Sequence, residues 1–444
     1  MTSFIIALLY RAGILTGVKN LTILLVDKIA MNNHVIAAQR ATMVVLFCNG
    51  LLYSAWGVSV PIIKKLHHLT DGVLSLSMAS VAIGGIVTMG FSGRWISMIG
   101  SARACHQSGL LMAFFAAPLL MITNYPILLF VLIGFGCVVA ANDVAANTQV
   151  AYLEKLSDRS LIGLVHGSFS IGGLISALLA SIWFSSPLPY EIYFVVIGCF
   201  SLLGVWIASR FQINEVKQQP TSPEQNPLKI VIGTTQIKRR LHIFGILAFA
   251  ALVIEGAIYD WATIYIKEVV KAPSFWSGTG YAAFAITMAL GRLFSDPIKN
   301  YLTHQCIVVW SSLISLIGFS LILSNNSLQG VIPGFLLAGF GVSNLIPLIF
   351  SSAGKLATSV NFPASQALAV TTRIAYTGLL VGPLLIGPLA ETIGLRMSFL
   401  VLLFMVVTIC GGWLLLSYVT NGTPWRITSE PIKQTHLSQS SNES

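Results

Sequence analysis

The five residues Leu132-Ile133-Gly134-Phe135-Gly136 recur as Leu337-Ala338-Gly339-Phe340-Gly341, and both copies lie inside long apolar runs. Three further pairs keep the same order along the chain. They are Gly50-x-x-Tyr53 with Gly256-x-x-Tyr259, Gly93-Arg94 with Gly291-Arg292, and His166-x-x-Phe169 with Arg373-x-x-Tyr376. The members of each pair are 198 to 207 residues apart. Single matches of this kind arise by chance, but four in one order at similar offsets predict a duplicated half.

The composition is that of a membrane protein. The chain has 444 residues, of which 55% are hydrophobic and 9% charged, and its mean hydropathy is +0.82. Soluble domains carry about a quarter charged residues. Because a helix needs about 20 apolar residues to cross a hydrocarbon core about 30 Å thick, we predict an all-α membrane protein with twelve transmembrane helices. The predicted spans are residues 41–63, 72–93, 106–123, 126–150, 160–183, 191–209, 242–266, 276–295, 304–323, 329–352, 365–388 and 397–419.

Positively charged residues predict the orientation. If the N-terminus is cytoplasmic, the inner segments hold 19 Lys and Arg residues, the outer loops hold five, and Arg373 lies in a span. The positive-inside rule then predicts a multi-pass protein of the cell inner membrane with both termini in the cytoplasm. Basic inner loops that face anionic lipid account for the net charge of +10, so we expect no nucleic-acid partner.

The pattern along the chain predicts two six-helix bundles, residues 40–210 and 241–420. Residues 211–240 read as a polar cytoplasmic linker and residues 421–444 as a disordered cytoplasmic tail. Residues 1–39 lie outside the repeat and read either as an over-long start or as an interfacial amphipathic helix. We expect a monomer. No phosphate-binding loop, zinc motif or nucleophile elbow occurs in the sequence, so neither a cofactor, a metal nor enzymatic activity is expected.

Twelve spans, a repeat of six plus six, a polar linker and cytoplasmic termini resemble the major facilitator superfamily (MFS) of secondary transporters. The superfamily signature after the second helix, Gly-x-x-x-Asp-x-x-Gly-x-x-basic, appears as Gly93-Arg94-Trp95-Ile96-Ser97-Met98-Ile99-Gly100-Ser101-Ala102-Arg103, with Ser97 where the acid is expected. The second half keeps an acid in Gly291-Arg292-Leu293-Phe294-Ser295-Asp296. The resemblance implies a cytoplasmic gate locked by charge contacts. Its residues would be Gly93, Arg94, Gly100, Arg103, Gly291, Arg292 and Asp296.

Three further motifs resemble a bacterial branch of MosC-like membrane proteins and inner-membrane permeases, distantly similar to sugar permeases such as the fucose:proton symporter. They are Glu255-Gly256-x-x-x-Asp260-Trp261, His166-Gly167-x-x-Ser170 and Tyr376-x-Gly378-x-x-x-Gly382-Pro383. The resemblance implies a transporter and favours sugar-like or inositol-like solutes. It also implies a central cavity lined by the first, fourth, seventh and tenth helices, which would contain Asp143, Glu255 and Asp260.

Ionisable side chains inside spans are costly in a bilayer, so each is a functional candidate. Burial disfavours the charged form of a carboxyl group, so a cavity acid can take up and release a proton as its surroundings change. Glu255, near the middle of its span, is the first candidate for proton coupling, followed by Asp143 and His166. The alternatives are a static ion pair of Glu255 with Arg373, and a packed, hydrogen-bonded role for His166.

Amides and carboxylates suit a hydroxyl-rich solute because they donate and accept hydrogen bonds. Asp143 and Asn147 share one helical face, and Asp143 either faces the cavity or caps helix packing near the cytoplasmic end. The asparagines of other spans can serve instead as hydrogen bonds between helices. Asp260, near the outer face beside Trp261, is assigned to a gate. The predicted substrate-binding residues are Asn49, Tyr53, Asn142, Asp143, Asn147, Tyr259, Asn344, Arg373 and Tyr376.

The sequence thus predicts a transporter that moves a small polar solute by alternating access with proton symport. Two alternatives remain open. One is proton-driven efflux of amphipathic compounds. The other is a non-transporting membrane sensor or lipid-handling protein built on the same fold.

Overall fold

The fold consists of long helices, each matching one predicted span. The computed structural model describes residues 14–157, 161–214, 234–294, 301–359 and 364–420. Most of the predicted linker, the predicted tail and Asp296 lie outside the described residues. We label the helices α1 Ile14–Leu66, α2 Asp71–Met89, α3 Ser101–Ala116, α4 Tyr125–Ser157, α5 Ile162–Phe184, α6 Tyr193–Ser209, α7 Thr234–Ile264, α8 Thr279–Leu293, α9 His304–Ser324, α10 Leu328–Val342 with Leu345–Ser359, α11 Ala364–Ile393 and α12 Leu400–Thr420.

The surface of the helices is apolar and the interior contains many polar side chains. Phe130 is 74% exposed and Phe404 64% exposed, whereas Asn49 and Asn142 are fully buried. Among the described residues, ten spans are long and apolar enough to cross a membrane. The remaining two helices, α3 and α8, have 16 and 15 residues. A large exposed apolar surface is costly in water, so this surface belongs in lipid.

The two halves repeat one packing pattern. In the first half, α1 packs against α5 and α6, α2 against α4, and α3 against α4 and α6. In the second half, α7 packs against α11 and α12, α8 against α10, and α9 against α10 and α12. The chain therefore forms two pseudo-symmetric six-helix bundles, which confirms the duplication predicted from the sequence. The bundles meet where α1 contacts α7, α2 contacts α11, and α5 contacts α8.

The repeated glycines allow close helix packing. Gly136 brings α4 against the backbone of Val81 in α2, and Gly339 brings α10 against the backbone of Phe284 in α8. A side chain at either position would clash with that backbone. Small residues permit such approaches in lipid, where no hydrophobic force drives helices together. The motif therefore recurs because the α2–α4 and α8–α10 contacts both need it.

One ion-pair cluster joins the halves on the side that carries the α1–α2 and α7–α8 connections, here called the distal side. The opposite side, with the α2–α3 and α4–α5 connections, is the terminal side. Lys64 Nζ, at the end of α1, lies 2.7 Å from a carboxylate oxygen of Glu268 in the second half. The same ammonium lies 2.8 Å from Asp71 Oδ1 at the start of α2. Lys64 therefore links the end of α1 to both α2 and the second bundle.

A second polar contact joins the halves at the same level. Glu391, near the end of α11, accepts hydrogen bonds from the hydroxyl of Thr70 at 3.2 Å and from the backbone N–H of Gly72 at 3.1 Å. A carboxylate is favourable there because the first N–H groups of a helix have no partner within it. Glu391 thus caps the N-terminus of α2 from the other bundle. We call Lys64, Asp71, Glu268 and Glu391 the distal latch.

Candidate functional site

A cavity of about 580 Å³ lies between the two bundles. It is lined by residues of α1, α2, α4 and α5 from the first half and of α7, α8, α10 and α11 from the second. It extends from Tyr53 and Asp260, nearer the distal side, to Met89 and Phe350 toward the terminal ends of their helices. The residues of the distal latch lie beyond the end at Tyr53 and Asp260 and are not part of the lining.

The repeated Gly-x-x-Tyr motif builds matching parts of the wall. Tyr53 and Tyr259 both line the cavity and meet edge to face, with ring centroids 6.2 Å apart. The residue before each glycine also lines it, Asn49 in the first half and Glu255 in the second. Equivalent positions in the two halves thus carry an amide on one side and an acid on the other.

Glu255 forms an ion pair with Arg292 of α8. Arg292 Nη2 lies 3.2 Å from both carboxylate oxygens, and Glu255 is only 8% exposed. The predicted partner Arg373 is exposed and does not line the cavity, although Tyr376 of the same helix does. Within the described residues the partner of Glu255 is thus Arg292 rather than Arg373, and a role of Arg373 in solute binding stays a prediction.

The role of Arg292 was missed at the sequence level because the Gly291-Arg292 turn resembled part of a cytoplasmic gate. One signal was available, since Arg292 falls inside the predicted span 276–295. An arginine in a span calls for an acidic partner. Arg292 Nε is buried and has no hydrogen-bond partner within the described residues.

Three predicted residues form a polar cluster on α4 and α5. Asn147 Nδ2 donates to the backbone oxygen of Asp143 at 2.9 Å, and His166 Nε2 lies 2.9 Å from Asn147 Oδ1. Because an amide oxygen only accepts, Nε2 of His166 carries the hydrogen in this arrangement. All three line the cavity. His166 is also within electrostatic range of Asp143 and of the Glu255–Arg292 pair.

Two predicted binding residues do not reach the cavity wall. Asn142 accepts a hydrogen bond from Asn49 at 3.0 Å and donates to Ser108 Oγ at 3.0 Å. Asn344 donates to the backbone oxygen of Gly291 at 3.3 Å. Both asparagines are buried and absent from the cavity lining. Their amides serve as hydrogen bonds between helices in this structure, and a contact of either with a solute stays a prediction.

The signature from Gly93 to Arg103, predicted to form part of a cytoplasmic gate, contains a tight turn at Gly100. Gly100 has φ of 90°, a left-handed conformation that favours glycine. Arg94 and Arg103 are exposed beside it, and Ser97 Oγ donates to the backbone oxygen of Arg94 at 2.8 Å. The gate role of this turn stays a prediction. Gly93 has open space around it, and Gly291 packs against Ser343.

Asp260 lies in the cavity wall rather than on the distal surface. It is 7% exposed, and within the described part of the chain its carboxylate has no hydrogen-bond donor and no cationic partner. Tyr53 and Tyr281 are close enough to sense its charge. The cavity therefore contains an acid without a partner among the described residues, at the end nearer the distal side.

Known proteins similar to this chain are transporters and membrane proteins. The profile of the Major Facilitator Superfamily matches residues 42–360. An uncharacterised MFS-type transporter of Yersinia pestis is 31% identical over 378 residues, which cover 84% of this chain and 94% of that protein. The membrane protein MosC of Rhizobium meliloti is 29% identical over 368 residues, covering 82% and 86%.

Solved transporter structures share the fold. The nucleoside transporter NupG superposes with a TM-score of 0.64 at 14% identity, covering 86% of this chain and 99% of its own. An inward-facing, unoccupied bacterial homolog of the human lysosomal transporter Spinster gives a TM-score of 0.65 at 13% identity, covering 87% and 97%. At these identities the likeness shows the fold alone. Since the family profile matches most of the chain, the chain belongs to the Major Facilitator Superfamily.

Proposed function

We propose that the protein moves a small polar solute across the membrane by alternating access, coupled to protons. One observation carries the proposal: a cavity between the bundles holds the buried Glu255–Arg292 pair and reaches toward the terminal side, while the latch joins the bundles on the distal side. If the terminal side is cytoplasmic, as the charge distribution favours, this conformation faces inward. Rocking of the two bundles about the cavity would expose it to the other side.

The cavity wall suits a hydroxyl-rich solute. Asn147 presents an amide, and Tyr53, Tyr259 and Tyr376 present phenol groups. These groups both donate and accept hydrogen bonds without requiring a charged ligand. The tyrosine rings also offer flat faces for the apolar side of a saturated ring. A sugar-like or inositol-like solute fits this combination.

Proton coupling is assigned to Glu255 because its carboxylate pairs with one cation, Arg292. A proton on Glu255 would remove the negative charge that Arg292 faces, and the guanidinium would then be free to bind another acceptor. A solute that offers such an acceptor would therefore bind more tightly to the protonated state, which is the thermodynamic requirement for coupling. Asp143 and His166 face the pair from the first half and form a second site for the proton.

A second candidate function is proton-driven efflux of amphipathic compounds. The part of the cavity nearer the terminal side is lined by apolar side chains, among them Ile86, Met89, Ile346 and Phe350. Apolar walls with few polar groups are typical of sites for drug-sized ligands. This candidate predicts flux of amphipathic cations or drugs rather than of sugars and cyclitols.

The test is transport in proteoliposomes with an imposed pH gradient, after thermal-shift screening against sugars, cyclitols and amphipathic drugs. Symport predicts that solute uptake depends on the gradient and that Glu255→Gln abolishes this dependence. Glu191→Gln, a change of the same kind in a connection outside the cavity, should leave uptake unchanged. Gradient-driven uptake that persists in Glu255→Gln would remove Glu255 from the mechanism. Drug flux without solute uptake would favour efflux, and neither flux would favour a sensor.

A further inference from the structure

The charges that line the cavity do not balance. Among the described lining residues, the carboxylates are Asp143, Glu255 and Asp260, and the only basic side chains are Arg292 and His166. Even a protonated His166 leaves one carboxylate in excess. The chain as a whole has a net charge of +10, so this acidic cavity departs from the character of the protein.

The carboxylate in excess is that of Asp260. Glu255 has Arg292, and Asp143 has His166 within electrostatic range. Asp260 is more than nine-tenths buried, lines the cavity and has no partner within the described residues. A buried carboxylate without a partner is costly, and such groups are retained where a ligand or a proton supplies the partner.

The surroundings of Asp260 are aromatic. Tyr53 and Tyr259 line the same end of the cavity, and Tyr281 packs against Tyr259 with ring centroids 5.3 Å apart. Ring faces attract a cation through the quadrupole of the aromatic system. A carboxylate at the same end of the cavity as these tyrosine rings is therefore complementary to a protonated amine.

We infer that Asp260 is the anchor for a protonated amino group of the transported solute, with Tyr53 and Tyr259 around it. The inference rests on the proposed function and narrows its substrate class to amine-bearing sugars or cyclitols. The ammonium group pairs with Asp260 at the end of the cavity nearer the distal side. The hydroxyl groups of the same molecule face Asn147 and Tyr376 toward the terminal side.

The experiment uses matched pairs of solutes that differ only in one amino or hydroxyl group, such as glucosamine with glucose and an amino-cyclitol with myo-inositol. Binding of each to the purified full-length protein is measured by calorimetry at millimolar solute. The amine members are expected to bind, and the alcohols to bind more weakly. Asp260→Asn should weaken amine binding by roughly thirtyfold or more, since it leaves a buried ammonium unpaired. Glu191→Gln should not change it.

Asp260→Glu serves as a second variant because it keeps the charge, and it should retain amine binding better than Asp260→Asn does. Equal binding of alcohols and amines, with no effect of Asp260→Asn, would overturn the inference and leave the proposed function standing. Amine binding that survives Asp260→Asn while gradient-driven uptake is lost would make Asp260 a proton site instead. Absence of binding and uptake for both series would reject the proposed function together with the inference.

Discussion

The substitution Lys64→Met tests whether the distal latch holds the cavity closed on that side. Lys64 is mostly buried, with a side chain 17% exposed, and its ammonium is within 2.8 Å of both Asp71 and Glu268. Removing the ammonium breaks both pairs and leaves two carboxylates close together. Methionine keeps a long unbranched side chain, so the packing of the stem changes little.

The expected loss of free energy follows from how exposed the carboxylate partners of Lys64 are. Exposed ion pairs contribute about 0.2–1 kcal/mol, and Glu268, at 40% exposure, belongs near the lower part of that range. Without the ammonium, the carboxylates of Asp71 and Glu268 also repel each other across the two bundles, which adds to the loss. A net loss of about 1 kcal/mol shifts a two-state equilibrium about fivefold. We therefore expect the population open on the distal side to rise about fivefold.

The assay is a distance measurement between spin labels on the distal connections of the two halves. Labels at Ser185 and Ser327, in a background without native cysteines, report separation of the bundles on that side. Lys65→Met is the matched control, because Lys65 is exposed, carries the same charge and neighbours Lys64. High salt should act on the unmodified latch in the same direction as Lys64→Met. If both lysine variants give the distance distribution of the parent chain, the latch does not set the conformation.

Two further changes test the interior. Arg292→Gln should lower the free energy of unfolding in detergent by about 1–3 kcal/mol, because it leaves Glu255 buried without its cation. Adding Glu255→Gln should restore part of the loss. If the losses from the two substitutions simply add, the two residues are not paired. Gly136→Leu should destabilise by about 1–3 kcal/mol or prevent folding, since its side chain meets the backbone of Val81, whereas Gly93→Leu, in open space, should be tolerated. Equal effects of the two glycine changes would show that close α2–α4 packing is not required.

The twelve helices could be predicted from sequence because the bilayer imposes them. Length and hydropathy fix each span, since backbone groups in lipid must be satisfied within a helix. The repeat also located part of the site, because the offset that relates Gly50 to Gly256 also relates Tyr53 to Tyr259, and both tyrosines line the cavity. Because the glycines recur for packing, the cavity residues next to them occupy equivalent positions in the two bundles.

The face that each helix turns toward the cavity could not be predicted in the same way. In water, an apolar stripe shows which face is buried, but a membrane helix is apolar toward both lipid and protein. Arg373 and Asn344 were therefore assigned to the cavity from their depth alone, and the structure turns both away from it. The distal latch was missed for a different reason. Its contacts between the two bundles join residues more than 200 positions apart in loops and helix ends, as with Lys64 and Glu268, and no periodic pattern marks them.

In the proposed mechanism, the proton acts where the two halves differ. The duplication gives both halves the same packing, yet the position before the repeated glycine is Asn49 in one and Glu255 in the other. Asn49 donates a hydrogen bond to Asn142 within its own bundle. At this position the first bundle is therefore held together by neutral hydrogen bonds. Glu255 pairs with Arg292, and the acid Asp260 follows one and a half turns later. Neutral groups cannot respond to a proton, whereas an ion pair and a free carboxylate can. In the proposed mechanism, the second bundle therefore carries the first proton site, while the first bundle supplies the second site, Asp143 and His166, and the amides that face it.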